Sequence, residues 1–279
     1  MCQRNNRHNG GRIKKMFEKF YFDLLSLKTE MQFRGYSIST QKTYYKTVKE
    51  FLEITGKEVV NIKRDDIIRY LDNNLKLLDV NTVLVKLNAL EFFFTEILGI
   101  DIAENIRKYK RKFKTKFKTK EFLSMEQLNI LVSSVPARER LICKIVIETG
   151  MIVDKVMDLT VKDLNLKNNT WELKGCEITK ELATEITDYT EKNYLEHYIF
   201  TLLKREEKEL PQTARYWLRR YTKEVLGQVY SFNDIRHSIA LEMIKKGDEK
   251  GAVKYLGIKT VFTLRQFYKR AGYDYYKEK

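Results

Sequence analysis

Proline is scarce in this chain, which has Pro136 and Pro211 as its two prolines among 279 residues. Proline removes a helical hydrogen bond and kinks or ends a helix, so its scarcity leaves room for long helices. Apolar residues recur at a spacing of three to four along most of the sequence, which is the period of one helix face. We therefore predict a mainly helical fold.

Cysteine and histidine are equally scarce, with three residues of each type. Cys2, Cys143 and Cys176 lie far apart, as do the histidines, so no group has the spacing of a zinc site. We expect no metal and no other cofactor. Widely spaced cysteines predict reduced thiols in an intracellular protein, and Cys143, inside an apolar run, is expected in the core.

Long apolar runs are also missing, since no stretch approaches the roughly 20 residues that span a bilayer. Residues 1–12 are polar and basic, without the apolar segment of a signal peptide. We expect a cytoplasmic protein with no membrane partner.

Acidic residues are outnumbered, with 38 Asp and Glu against 53 Lys and Arg, for a formal net charge of +15. Such an excess favours a polyanionic partner. Nucleic acid is the stronger candidate, because an anionic membrane surface would favour a lipidation signal or a basic amphipathic helix with exposed Trp and Leu.

The length favours two domains of unequal size. We predict a disordered basic N-terminus over residues 1–12, a helical domain over 13–102, a basic linker over 103–121 and a second domain over 122–279. Four stretches with helical period predict a four-helix bundle in the first domain.

The linker prediction depends on the stretch from Arg107 to Lys120, which has no acidic residue and in which basic residues alternate with aromatic ones. It is either a solvated, self-repelling spacer or a strap along a phosphate backbone. We favour the strap, because the segment joins two basic domains. Its candidate DNA contacts are Lys110, Arg111, Lys112, Lys114, Lys116 and Lys118.

The second domain begins with a helix start signal, in which Ser124 is followed three residues later by Gln127, as in a capping box. A helix is predicted from about Arg138 to Glu148. Short β-prone pieces follow near residues 170–174 and 182–186, which predicts a small hairpin or sheet.

Several short motifs resemble, in order and spacing, those of the tyrosine recombinases, also called phage-type integrases. The resemblance runs from about Phe20 to Gly272. The motifs that carry it are Gly35-Tyr36-Ser37, Arg138-Glu139-Arg140-Leu141, Glu148-Thr149-Gly150-Met151, Leu159-Thr160-Val161-Lys162-Asp163-Leu164, Asp234-Ile235-Arg236-His237-Ser238, Tyr255-Leu256-Gly257 and Gln266-Phe267-Tyr268.

The resemblance implies a two-domain, C-shaped clamp around double-stranded DNA, made of a four-helix core-binding domain and a catalytic-type domain. It also implies self-association on DNA as a dimer or tetramer. In that family a tyrosine attacks a DNA phosphate and two arginines hold the phosphoryl oxygens, with no metal needed.

By this resemblance Tyr268 occupies the nucleophile position and Arg236 that of the second arginine, which also contacts phosphate. The hairpin lysine falls at or beside Cys176, so Lys174 or Lys180 could supply it if the hairpin is shifted. In the first domain, Thr40, Lys42 and Arg64 are the candidate phosphate or base contacts.

Three supporting groups of the family pattern are replaced. The first arginine is Ile152, the histidine three residues before the second arginine is Asn233, and the His or Trp after the Leu-Gly turn is Ile258. Since one preorganised donor is worth on the order of a hundred- to a thousandfold in rate, we expect catalysis to be impaired or lost. His237 is expected to have a structural role.

Three functions therefore compete. The first is a working or residual recombinase that cuts DNA through Tyr268. The second is an inactive, sequence-specific DNA-binding regulator, a repressor or architectural factor of phage or mobile-element origin. The third is a basic patch for RNA or acidic proteins, which competition by duplex DNA over RNA would separate from the other two.

The strap hypothesis for the linker predicts a change in salt dependence. Replacement of Lys112, Lys114 and Lys116 by Ala should weaken DNA binding, and the slope of log K against log salt should flatten by about 0.9 per lost phosphate contact. Binding titrations over a salt series measure this slope. An unchanged slope would favour the interpretation of the segment as a solvated spacer.

Overall fold

The computed structural model describes residues 20–74, 78–100, 121–201 and 207–273. The chain divides into two compact units, Met1–Lys116 and Phe117–Lys279. The predicted N-terminus over 1–12 and the six linker cations from Lys110 to Lys118 lie outside the described residues.

Four α-helices form the described part of the first unit, in agreement with the predicted bundle. They are α1 (Tyr21–Phe33), α2 (Ile38–Thr55), α3 (Arg64–Asn74) and α4 (Val80–Phe92), with a 3-10 turn at Val59–Asn61 and a π-helical segment at Phe93–Ile97 that continues α4.

Local chemistry sets the ends of α2. The Ser37 side chain accepts a hydrogen bond from the backbone N–H of Thr40, which satisfies one of the unpaired donors of the first turn. At the other end Gly56 adopts a left-handed conformation with a φ of 65°. The face between these ends is buried, and the core of the unit includes Leu27, Met31, Val48, Phe51, Leu52, Leu87, Leu90, Phe93 and Phe94.

The second unit is helical with one small sheet. Its helices are α5 (Met125–Ser134), α6 (Ala137–Thr149), α7 (Val153–Met157), α8 (Lys180–Lys192), α9 (Pro211–Leu226), α10 (Phe232–Lys245), α11 (Glu249–Leu256) and α12 (Val261–Arg270), with a 3-10 turn at Val161–Asp163. The predicted capping box at Ser124 and Gln127 is present at the start of α5.

The sheet consists of β1 (Leu164–Lys167), β2 (Thr170–Leu173) and β3 (Cys176–Ile178), all antiparallel in the order β1-β2-β3. Its two connections are two residues long, since Lys167 pairs with Thr170 and Leu173 with Cys176. All four connecting residues have positive φ, which is the conformation of tight hairpin turns: Asn168, Asn169, Lys174 and Gly175.

The predicted β-prone piece at 182–186 is wrong, because these residues lie inside α8. The Thr179 side chain caps the helix by accepting from the backbone N–H of Leu182. Leu182, Ala183 and Ile186 are buried together, and their spacing is that of a helix face. Lys180 is therefore the first residue of a helix and does not lie on the hairpin.

Two hydrophobic clusters fill the second unit. The larger one gathers α5 to α10 and the sheet, and it includes Cys143 in the core, as predicted. The smaller one joins α10, α11 and α12 to Phe122, and Tyr268 lies within it. The predicted mainly helical fold with a small sheet is confirmed. Within the described ranges, no helix is long and apolar enough to cross a membrane.

The end of α6 packs tightly against α11. Gly150 ends α6 with a φ of 65°, and a Cβ atom there would overlap the carbonyl oxygen of Tyr255. The Tyr255 hydroxyl donates to the carbonyls of Val146 and Ile147, at 2.9 Å each. The contact therefore depends on the absence of a side chain at position 150.

Gly150→Ala should destabilise the second unit, because it adds steric overlap to a left-handed conformation that itself costs about 1–2 kcal/mol in a non-glycine residue. Gly227→Ala is the matched control, since Gly227 also ends a helix with a φ of 73° but has no atom within 4 Å of an added Cβ. Denaturant unfolding measures both. Equal losses of stability in the two variants would contradict the close approach.

Candidate active site

Arg236 is a buried cation on α10, with 8% of its surface exposed. Its Nε donates to the carbonyl oxygen of Gly150 at 2.6 Å, and its Nη2 donates to that of Leu256 at 2.8 Å. These carbonyls lie at the C-terminal ends of α6 and α11, where the helix dipole favours positive charge. Two helix ends thus hold the guanidinium.

The third contact of Arg236 is a hydrogen bond from Nη1 to the side-chain oxygen of Asn233, at 2.9 Å. Among the described residues, no carboxylate forms an ion pair with Arg236. Burial lowers the pKa of the guanidinium, yet arginine stays charged because its ordinary pKa lies far above neutrality. The site therefore holds a positive charge balanced by neutral acceptors.

Tyr268 lies on α12 with 0% of its surface exposed. Its hydroxyl donates to the backbone carbonyl of His237 at 2.8 Å and lies 3.1 Å from Nδ1 of the same residue. His237 directly follows Arg236 in the chain. The Tyr268 hydroxyl therefore contacts the residue that follows Arg236 on α10.

Aromatic rings enclose the imidazole of His237. The Phe267 ring stacks on it with centroids 4.2 Å apart and an interplanar angle of 16°. Phe122 stacks at 5.6 Å, and it also meets Tyr268 edge-on at 5.7 Å. The backbone N–H of Phe122 donates to the hydroxyl of Tyr273. Stacking fixes the plane of the imidazole, so Nδ1 is held towards the Tyr268 hydroxyl.

Other candidate reactive groups in the described part of the chain are weaker. Burial raises the pKa of the Cys143 thiol to about 12, so the thiolate needed for nucleophilic attack does not form near neutral pH. No group of three or more His, Cys, Asp or Glu side chains among the described residues could hold a metal ion.

Comparison with protein-family models matches both units. The model "Phage integrase, N-terminal SAM-like domain" matches residues 24–104. The model "Phage integrase family" matches residues 116–273, which is more than half of the chain. The chain belongs to the phage integrase family.

Known relatives of this integrase-family chain are tyrosine recombinases. Tyrosine recombinase XerA of Pyrococcus furiosus is 25% identical over 266 residues, covering 90% of each chain. Tyrosine recombinase XerD-like of Streptococcus suis is 22% identical over 252 residues, covering 87% of this chain and 98% of the relative.

Solved structures share the fold of this integrase-family chain. A lambda integrase tetramer bound to a Holliday junction matches with a TM-score of 0.69 at 16% identity, covering 92% of this chain and 79% of that one. XerH site-specific recombinase bound to palindromic difH substrate matches with a TM-score of 0.67 at 19% identity, covering 88% and 79%.

Tyr268, the predicted nucleophile of this family member, contacts His237, which directly follows the predicted second arginine, Arg236. The two candidate lysines lie on different structural elements. Lys174 lies at the hairpin tip between β2 and β3, 43% exposed, with its Nζ 4.0 Å from a carboxylate oxygen of Asp163. Lys180 is exposed at the start of α8.

The three replaced positions differ in their surroundings. Ile152 is 42% exposed just before α7, two residues from the Gly150 carbonyl that Arg236 binds. Asn233 supports Arg236 through its side-chain oxygen. Ile258 is half-buried against the cluster that contains Tyr268. Asn233 is thus held by a hydrogen bond and Ile258 by packing, while Ile152 leaves an apolar side chain on the surface.

The candidate DNA-contact residues of the first domain lie near the starts of α2 and α3. Thr40 is half-buried on α2, where its Oγ1 lies 2.9 Å from the Ser37 hydroxyl. Lys42 is exposed on the same helix, and Arg64 is exposed as the first residue of α3. These positions remain predictions.

Reasoning from the sequence missed the contact of His237 with Tyr268. The sequence carried a signal for a role of His237, because position 233, where the family resemblance expects a histidine, lies four residues before it. Residues at this spacing share one face of a helix. The carbonyl contacts of Arg236 carried no such signal, since they join backbone atoms 86 and 20 residues away.

Proposed function

We propose that this protein binds duplex DNA and cuts one strand through Tyr268, at a rate reduced by the missing arginine at position 152. The cut would leave the 3′ phosphate joined to the tyrosine. The membership of the phage integrase family supports this reaction class, and the named relatives are tyrosine recombinases. Lambda integrase has been solved on a Holliday junction and XerH on its DNA substrate.

The observation that carries the proposal is the contact of the Tyr268 hydroxyl with His237, the residue that follows the buried Arg236 on α10. Arg236 makes three hydrogen bonds to neutral acceptors, while a guanidinium has five N–H donors. A DNA phosphate would supply the missing anion and accept the remaining donors. The same phosphate would then lie beside the Tyr268 hydroxyl.

The distribution of charge supports a DNA-binding face. Residues 207–273 contain 14 Lys and Arg against seven Asp and Glu, while residues 163–196 contain four against eight. Phosphates are attracted by the first segment and repelled by the second. The helices from α9 to α12, which include the Arg236 and Tyr268 positions, therefore carry the cationic surface of the second unit.

Ile152 is the reason for the reduced rate. An apolar side chain offers no donor and no charge at the position where the family pattern has an arginine, so the developing charge on the phosphoryl oxygens would lose one stabilising group. Arg236 would then carry the stabilisation with the help of a lysine, for which we favour Lys174, because it lies on the hairpin and Lys180 does not.

The second candidate function is an inactive DNA-binding regulator, which the same Ile152 and the full burial of Tyr268 favour. A regulator of this kind would need the cationic face and the fold but no strand cleavage. DNA binding is common to both candidates, and a covalent intermediate belongs to the first one alone.

A suicide-substrate assay separates the two functions. Nicked duplexes, tiled from DNA that flanks the gene for this protein, are incubated with the protein and examined for an adduct that resists denaturation. We expect a slowly accumulating adduct that is absent with Tyr268→Phe, because this variant lacks the attacking oxygen. Retarded DNA without an adduct, bound equally by wild type and variant, would favour the regulator.

Ile152→Arg should increase the rate of adduct formation, on the order of a hundredfold, because it restores a donor to the transition state. Ile130→Arg is the matched control, since Ile130 is 43% exposed on α5 and Ile152 is 42% exposed. Both variants add one positive charge to the same unit. Equal gains in the two variants would mean that the added charge acts through DNA affinity and not through the reaction.

A further inference from the structure

We propose that His237 takes the phenolic proton from Tyr268 during strand cleavage. This inference rests on the proposed function, because it concerns the same cleavage reaction. It replaces the structural role that the sequence predicted for His237. Three observations carry it: the contact with the hydroxyl, the orientation of the ring, and the place of His237 on α10.

The first observation is the distance of 3.1 Å between Nδ1 of His237 and the Tyr268 hydroxyl. The hydroxyl has one hydrogen and two acceptors on the same residue, the carbonyl oxygen at 2.8 Å and Nδ1. In the neutral tautomer with its hydrogen on Nε2, Nδ1 is an acceptor. Rotation of the hydroxyl then directs its hydrogen from the carbonyl to the imidazole without any movement of the ring.

The second observation is the fixed plane of the imidazole. Phe267 stacks on His237 at 4.2 Å, and Phe122 stacks at 5.6 Å. A ring held by two aromatic neighbours keeps Nδ1 directed at the hydroxyl, which shortens the search for the geometry of proton transfer. The ionisable side chains that contact this aromatic group include Tyr268 and Tyr273, and Arg236 is next to His237 in the chain.

The third observation is the relation of His237 to Asn233. The family resemblance places a histidine at position 233, and here that position holds Asn, whose side chain binds Arg236. His237 lies one turn further along α10, on the same face. The helix therefore still presents an imidazole beside the arginine, displaced by one turn and in contact with the nucleophile.

The Tyr268 oxygen forms a bond to phosphorus while the bond from phosphorus to the 5′ oxygen breaks. The phenolic proton passes to Nδ1 of His237, and the leaving 5′ oxygen takes a proton from water. In the reverse step the 5′ hydroxyl attacks the phosphotyrosine and gives its proton to the hydroxide that the forward step left, while the departing phenolate recovers its proton from the protonated imidazole of His237.

The test compares His237→Asn with wild type in single-turnover cleavage of a nicked duplex over a range of pH. Asn can place a hydrogen-bonding atom near the position of Nδ1 but cannot take up a proton. We expect the rate to fall about a hundredfold, in the range of general base catalysis. The wild-type rate should fall at acidic pH, because a protonated imidazole cannot accept the phenolic proton, and this dependence should vanish in the variant.

His197→Asn is the matched control, because His197 is an exposed histidine of the same unit, and its variant should keep the wild-type rate and pH profile. Cleavage by His237→Asn with an unchanged rate and profile would overturn the assignment while the proposed function stands. Failure of wild type to form any adduct would overturn both.

A second measurement is needed if His237→Asn no longer retards DNA, since this would indicate that the variant has lost its fold. Nitrogen-15 NMR of labelled histidine, recorded on wild type and on Tyr268→Phe, reports the hydrogen bond at Nδ1 directly. We expect the Nδ1 resonance of His237 to shift when the hydroxyl is removed, and that of His197 to stay in place. An unshifted His237 resonance would overturn the proposal.

Discussion

The position of the buried guanidinium of Arg236 is the constraint on which the candidate active site depends. A cation in a protein interior has to be compensated, and in the part of the chain that the structure describes the compensation comes from the carbonyl ends of two helices and not from a carboxylate. A carboxylate would neutralise the charge inside the protein. Neutral carbonyls hold the guanidinium in place and leave its charge available to an external anion.

This constraint links distant parts of the second unit. The carbonyl of Gly150 is in reach because α6 ends there in a left-handed turn, and this turn fits because Tyr255 packs against a residue without a side chain. The hydroxyl of Tyr255 then ties α11 back to α6. The carbonyl of Leu256, one residue later, follows from the same packing. The packing of α11 against α6 therefore also fixes the position of the Arg236 charge.

The fold was largely predictable from the sequence, and the site was predictable in part. Helical periodicity and turn signals identified the four-helix first unit and the start of α5, because these features are local. The error at 182–186 arose because β-branched residues occur in α8, where the cap at Thr179 and the buried face decide the structure. The order of the motifs predicted Tyr268 and Arg236 as residues of the candidate site. The imidazole contact and the carbonyl cradle were not predictable, since they join residues that are 20 to 86 positions apart.

The hairpin turn at Lys174 and Gly175 lowers the entropy cost of binding a ligand at this lysine. Both residues have positive φ, at 50° and 78°, and the strands on either side are paired directly up to the turn. The backbone of Lys174 is therefore already ordered before any ligand arrives. A phosphate bound by this lysine would cost side-chain rotamer freedom alone, at most about 2 kcal/mol, while a lysine on a disordered segment would also lose about 1–2 kcal/mol of backbone entropy for each residue that becomes ordered.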